Sequence, residues 1–167
     1  MFQNPRIKNR GIGGDTSVGV LKRLDQIISD QPLQIFLMMG INDLWNGVPV
    51  ERVADNYRQV LAQVKSKAPA TNVLIQSVLP MNGAWSSTPE RIPIVNRQVF
   101  DLNKKLRELG TEFFFSYVDL FSLFVKDDQL DPQYTTDGLH INGKGYIVWK
   151  AAIERFVAKN PFGDFKP

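Results

Sequence analysis

Cysteine is absent from the 167 residues, and histidine occurs once. The first absence excludes a disulfide frame, a thiolate nucleophile and any Cys-based metal site. The second leaves one imidazole, His140, for proton transfer near neutral pH, where the unperturbed His pKa lies. A zinc site would have to be built largely from carboxylates, so no metal is expected. No apolar run is long enough to span a bilayer, and Met1-Phe2-Gln3-Asn4-Pro5-Arg6 lacks the pattern of a signal peptide. Missing cysteine does not decide the compartment; as given, the chain reads as soluble and cytoplasmic. Charge of one sign is also scarce, at a formal net +3. Basic residues (Lys65, Lys67, Lys104, Lys105, Arg107) are interleaved with acids, which marks solvated helix faces and not a nucleic-acid footprint.

A hydrophobic content of 43% over this length supports one domain, residues 1–167, with a core that needs no staples. Short apolar runs alternate with amphipathic stretches, the mark of an α/β protein with a mostly parallel sheet. Leu33–Met39, Val73–Leu79 and Phe113–Val118 read as strands buried on both faces, and Arg6–Arg10 as a weaker strand nearer an edge. Helical stripes run through Val20, Leu21, Leu24, Ile27 and Ile28; through Val53, Tyr57, Val60, Leu61 and Val64; and through Val95, Val99, Leu102, Leu106 and Leu109, with Gly110 placed to end the last. A final helix follows Gly145 and carries Trp149, Ile153, Phe156 and Val157. In open parallel sheets the ligand crevice lies beyond the carboxyl ends of the strands, where the polar and glycine-rich segments fall.

Three segments can carry chemistry. Gly11-Ile12-Gly13-Gly14-Asp15-Thr16 turns sharply into a helix that Asp15 or Thr16 can cap, and its backbone N–H groups suit developing negative charge. The G-x-G-x-x-G spacing of a dinucleotide site is missing. In Gly40-Ile41-Asn42-Asp43, the Asn42 carboxamide can donate to a carbonyl oxygen becoming an oxyanion, or the segment can be a plain Asn-Asp turn. Asp137-Gly138-Leu139-His140 lets a carboxylate accept from one ring nitrogen and leave the other as base; a lone structural His is the alternative. Trp45 and Trp85, the latter in the long loop between Pro80 and Pro93, either line an acyl or leaving-group pocket or pack their loops.

In this order, the three segments resemble the GDSL-type esterases, or SGNH hydrolases, most closely the branch similar to platelet-activating-factor acetylhydrolase. The resemblance runs from about residue 6 to residue 158. It implies a three-layer α/β/α, flavodoxin-like sandwich and a serine-esterase reaction through an acyl-enzyme, without cofactor, on a small-molecule ester. Gly14 (backbone N–H) and Asn42 would be the oxyanion donors, His140 the base and Asp137 its orienter. The crevice edge holds no run of exposed aliphatics, which favours a short acyl group such as acetyl.

The family's first block, a central strand ending in a Gly-Asp-Ser turn that carries the nucleophile, is missing. Gly14-Asp15-Thr16-Ser17 mimics it, but Ser17 reads as a helix-start residue bonding locally. Ser77 reads as core, and Ser86 and Ser87 as surface loop. The expectation is therefore an N-terminally truncated domain, inactive or impaired, whose strands at Arg6–Arg10 and Leu33–Met39 lack their common neighbour. Such a gap leaves the product truncated, closes by repacking, or is completed by another chain through homo-oligomerisation or strand exchange. The alternative function is a non-catalytic binding module derived from such a hydrolase.

Overall fold

The structure, a computed structural model, describes residues 7–157. Three parallel strands, β1 (Gln34–Leu37), β2 (Asn72–Gln76) and β3 (Ser116–Val118), form a sheet in the order β1-β2-β3. Gln34 is in register with Asn72, and Leu74 with Ser116. Burial on both faces holds for β2 alone, where Val73, Leu74 and Ile75 are fully covered. Along β1 only Leu37 is buried, and along β3 only Val118. Both are edge strands among the described residues, and an apolar run cannot reveal whether a neighbour exists to cover it.

Side chains alternate across β2 and so define the layers. Val73 and Ile75 join the larger core with α1 (Ser17–Lys22), α2 (Leu24–Ile28), α4 (Val50–Lys67) and α5 (Ile92–Phe113). Leu74 faces the other way, into a second cluster with Phe124 of α6 (Phe121–Phe124) and Ile153 of α7 (Gly143–Val157). The result is the three-layer α/β/α sandwich. The stripes of α4 and α5 are buried as their spacing implies; Val53, Leu61, Val64, Val99, Leu102 and Leu106 are each 0% exposed. Among the described residues, no helix is long and apolar enough to cross a membrane.

Several local details depart from the sequence reading. The first stripe is divided between α1 and α2 at Arg23, whose side chain grips Asp15 at 2.8 and 3.0 Å. Gly110 does not end α5. The helix runs on to Phe113 and is closed by Phe114 in the left-handed region at φ 59°. A Cβ on Gly110 would lie 3.1 Å from the Phe115 carbonyl, so this glycine serves the close passage of the chain entering β3. An antiparallel hairpin, β4 (Val125–Lys126) and β5 (Gln129–Leu130), turns at Asp127-Asp128, both with positive φ.

The expected strand at Arg6–Arg10 is not formed over residues 7–10, and Arg6 lies outside the described residues. This stretch is exposed and held by side chains: Lys8 and Arg10 both pair with Asp30, and Arg23 donates to the Arg10 carbonyl. Without a ladder partner its amides stay with solvent, and the extended pattern has nothing to fix it.

Candidate active site

The glycine block and the asparagine block are stitched together by buried polar contacts. Gly14 turns the chain at φ 74°, and Thr16 caps α1 by accepting from the Gly19 amide. Gly40, at φ 122°, opens the short helix α3 (Ile41–Trp45); a Cβ there would sit 3.0 Å from Leu102 and 3.3 Å from Val53. From α3, Asn42 donates through Nδ2 to the Asp15 carbonyl at 2.8 Å. Asp43, 1% exposed, accepts from the Ser17 amide at 2.9 Å and from the Ser17 hydroxyl at 2.6 Å. Asn56 of α4 donates to the same hydroxyl at 2.7 Å. Ser17 therefore does not bond locally as expected. It is 0% exposed, its proton committed to Asp43 and a lone pair to Asn56.

The third block is a loop folded around carboxylate and hydroxyl oxygens. Thr135 Oγ1 donates to the His140 carbonyl at 2.7 Å and accepts from the Gly138 amide at 2.9 Å. Asp137 Oδ1 accepts the Leu139 and His140 amides, while Oδ2 lies 2.6 Å from His140 Nδ1. The His140 imidazole, followed by these two amides, holds the Asp137 carboxyl well below the usual carboxylate range. An ionised carboxylate only accepts, so the proton of a neutral ring lies on Nδ1 and the lone pair on Nε2. Among the described residues, no group bonds Nε2. Gly138, at φ 80°, presses this loop onto the Asn82 segment; a Cβ would lie 2.5 Å from the Asn82 carbonyl.

These loops bound a cleft of about 300 Å³ lined by Ile41, Asn42, Trp45, Met81, Trp85 and Asp137, among others. Asn42, Asp137 and both tryptophans thus share one cavity. Neither His140 nor Gly14 is among the lining residues: His140, its side chain 76% exposed, contacts the lining residue Asp137, and Gly14 precedes Asp15, whose carbonyl accepts from Asn42. Trp45 has the Arg91 guanidinium stacked 4.2 Å from its ring centre. Ser86 and Ser87 also line the cleft, with Ser86 Oγ accepting from the Thr88 amide. Ser77 is buried as expected, and its hydroxyl accepts the Leu120 and Phe121 amides.

Two supporting residues escape the sequence reading. Asn96 and Asn103, buried on α5, clamp the chain leaving β2. Asn103 makes both bonds to the Val78 main chain, and Asn96 both to that of Met81. Their signal is two amides seven residues apart, on the face that also carries Val99 and Leu106. A larger cavity of about 420 Å³, bounded by Asn82, Ile92, Lys126 and Gln129, shares Asn82 with this cleft. Among the described residues, no three acidic or His side chains are grouped to hold a metal ion.

The chain belongs to the GDSL-like Lipase/Acylhydrolase family, whose pattern matches residues 1–148. It is 27% identical to the GDSL esterase/lipase CPRD49 of Arabidopsis thaliana, covering 89% of this chain and 64% of that protein. It is 24% identical to an N-acylneuraminate cytidylyltransferase of Streptococcus agalactiae, where 89% of this chain spans only 34% of the relative's length. Among solved structures, a GDSL-like lipase from Bacteroides thetaiotaomicron superposes with a TM-score of 0.79 at 26% identity, over 90% of this chain and 74% of that one. An acetylxylan esterase from Geobacillus stearothermophilus shares the fold (TM-score 0.72, 18% identity, 90% and 71% covered). Catalytic mutants of that esterase alter a serine, an aspartate and a histidine, the last two three positions apart.

Proposed function

We propose that this chain carries the base, orienter and oxyanion donors of a serine-type esterase for short acyl, above all acetyl, esters. The observation that carries this reading is the 2.6 Å contact between Asp137 and His140, with Asp137 lining the same cleft as Asn42. In the reaction, Nε2 of His140 takes the proton of a seryl hydroxyl as its oxygen attacks the acyl carbon. The carbonyl oxygen gains the negative charge and accepts from the Gly14 amide and the second N–H of Asn42; such a donor is worth about 10²–10³ in rate. His140 returns the proton to the departing alcohol, and water repeats the sequence on the acyl-enzyme. Trp45 and Trp85 flank the acyl group, and a volume of about 300 Å³ suits a small ester.

No hydroxyl among the described residues bonds His140 Nε2, and those of Ser17 and Ser77 are buried in other contacts. The 167-residue chain acting alone therefore hydrolyses esters feebly. A second reading rests on the same observation: the cleft binds an acetylated ligand without turning it over. Hydrolysis of para-nitrophenyl acetate by the purified chain separates the two. Weak turnover that vanishes in His140→Ala and persists in a Ser86→Ala/Ser87→Ala variant supports the esterase reading. Binding without turnover supports the module. Vigorous turnover that survives His140→Ala removes His140 from the mechanism.

A further inference from the structure

Building on the esterase reading of the neighbouring cleft, we infer that the cavity of about 420 Å³ takes the alcohol half of the ester, and that this alcohol is a hydroxy-amino acid. The two spaces share Asn82. The β4–β5 hairpin supplies Lys126, Asp127 and Gln129 to the lining, and Ile92 and Pro93 at the start of α5 supply apolar surface. The hairpin is fastened by its own contacts. Asn96 Nδ2 donates to the Asp128 carbonyl at 2.9 Å, Asn82 Nδ2 to the Leu130 carbonyl at 2.7 Å, and the Gly83 amide to Gln129 Oε1 at 2.8 Å. The last contact also orients the Gln129 carboxamide. With Oε1 engaged by the main chain, Nε2 keeps N–H groups that no described residue accepts.

Two opposite charges line this cavity and do not meet each other. Lys126 and Asp127 are adjacent in sequence, yet neither side chain has a hydrogen bond or an ion pair to a described residue. Asp131 feels the Lys126 charge, but its oxygens accept from the Gln133 amide and carboxamide. A neutral alcohol gains little from either charge, and a singly charged one is attracted by one and repelled by the other. A zwitterion satisfies both. Its ammonium donates to the Asp127 carboxylate, and its carboxylate accepts from Lys126 and from Gln129 Nε2. The start of the 22-residue α5 adds partial positive charge to the same lining, which favours the carboxylate. The acyl group then lies in the neighbouring cleft. In the overall hydrolysis the ester C–O bond breaks, water gives its hydroxyl to the acyl carbon, and its proton ends on the released hydroxyl of the amino acid.

The test titrates the isotopically labelled 167-residue chain with L-serine and follows the Gln129 carboxamide by NMR. Ethanolamine, L-lactate and methyl β-glucoside run beside it, carrying the ammonium alone, the carboxylate alone and hydroxyls alone. The expected result is saturable movement of the Gln129 Nε2 resonances, with L-serine bound about fivefold tighter than the other three, the worth of one exposed charge pair. Lys126→Met should weaken L-serine and L-lactate by about the same factor and spare ethanolamine; Asp127→Asn should weaken L-serine and ethanolamine and spare L-lactate. Both side chains are exposed, so the variants keep the fold. A Gln129 carboxamide indifferent to L-serine overturns the inference. So does methyl β-glucoside binding equally well, or L-serine binding that neither substitution weakens. If His140-dependent turnover of para-nitrophenyl acetate is seen and L-serine does not bind, the amino-acid alcohol alone is refuted. If L-serine binds at Gln129 and no such turnover exists, the esterase reading fails and the zwitterion site is upheld.

Discussion

Replacing Asp43 by alanine strikes the contact that joins the glycine block to the asparagine block. The carboxylate is 1% exposed and accepts both the amide and the hydroxyl of Ser17, itself 0% exposed. Hydrogen bonds to a charged group contribute about 1.5–3 kcal/mol each, and the stranded Ser17 groups cannot reach water. Losing both should cost roughly 3–5 kcal/mol. At about 2–4 °C per kcal/mol for a chain of this size, the melting temperature should fall by about 6–20 °C. Asp43→Asn keeps one acceptor oxygen but sets an NH₂ against a hydroxyl that already accepts from Asn56, so its effect should be intermediate. Urea denaturation reads the loss as a shifted midpoint at constant slope. A cycle with Ser17→Ala isolates the coupling, expected at roughly 1–3 kcal/mol. An Asp43→Ala variant within ~1 kcal/mol of the parent would refute the idea that this carboxylate ties the blocks together.

Gly138→Ala places a Cβ 2.5 Å from the Asn82 carbonyl in a residue at φ 80°, so the dyad loop must shift. The left-handed backbone alone costs about 1–2 kcal/mol, and a thermal melt should show a fall of several degrees. Tyr57→Phe removes the hydroxyl that serves both main-chain groups of buried Met39, a loss of roughly 2–4 kcal/mol by denaturant titration. Asp137 has a folded pKa below its unfolded value of about 3.9, so its contribution is complete above that value and fades as the pH falls through the lower folded one. Its carboxyl carbon, followed by NMR, should keep the ionised shift at pH 4 in the parent. A midpoint at or above pH 4 contradicts the His140 contact.

Much of this architecture can be read from residue spacing. The stripes through Val53 to Val64 and Val95 to Leu109 place α4 and α5, and the apolar run at Val73 places the one strand covered on both sides. Two of the motif segments and the two tryptophans singled out beside them name four residues of a single cleft: Asn42, Asp137, Trp45 and Trp85. What spacing misses is decided by neighbours remote in the chain. The strand pattern near Ile7 forms no strand over residues 7–10, where no partner offers a ladder. Gly110 stays helical because Phe115 passes close by, and Ser17 finds partners 26 and 39 residues away in place of a local turn. Asn96 and Asn103 share the buried face of α5, but their partners emerge only when the chain leaving β2 is laid against them.

The claim on which the rest stands is that Asn42 and the Asp137–His140 pair serve one ligand in one cleft. Titrating the isotopically labelled chain with ethyl acetate, and following side-chain resonances by NMR, addresses it at the residues themselves. The Asn42 carboxamide, the His140 ring and the Trp45 and Trp85 indoles should shift together along a single saturation curve. Shifts confined to the Lys126 and Gln129 cavity, or an Asn42 amide that stays still while His140 moves, would show that these groups do not form a common site.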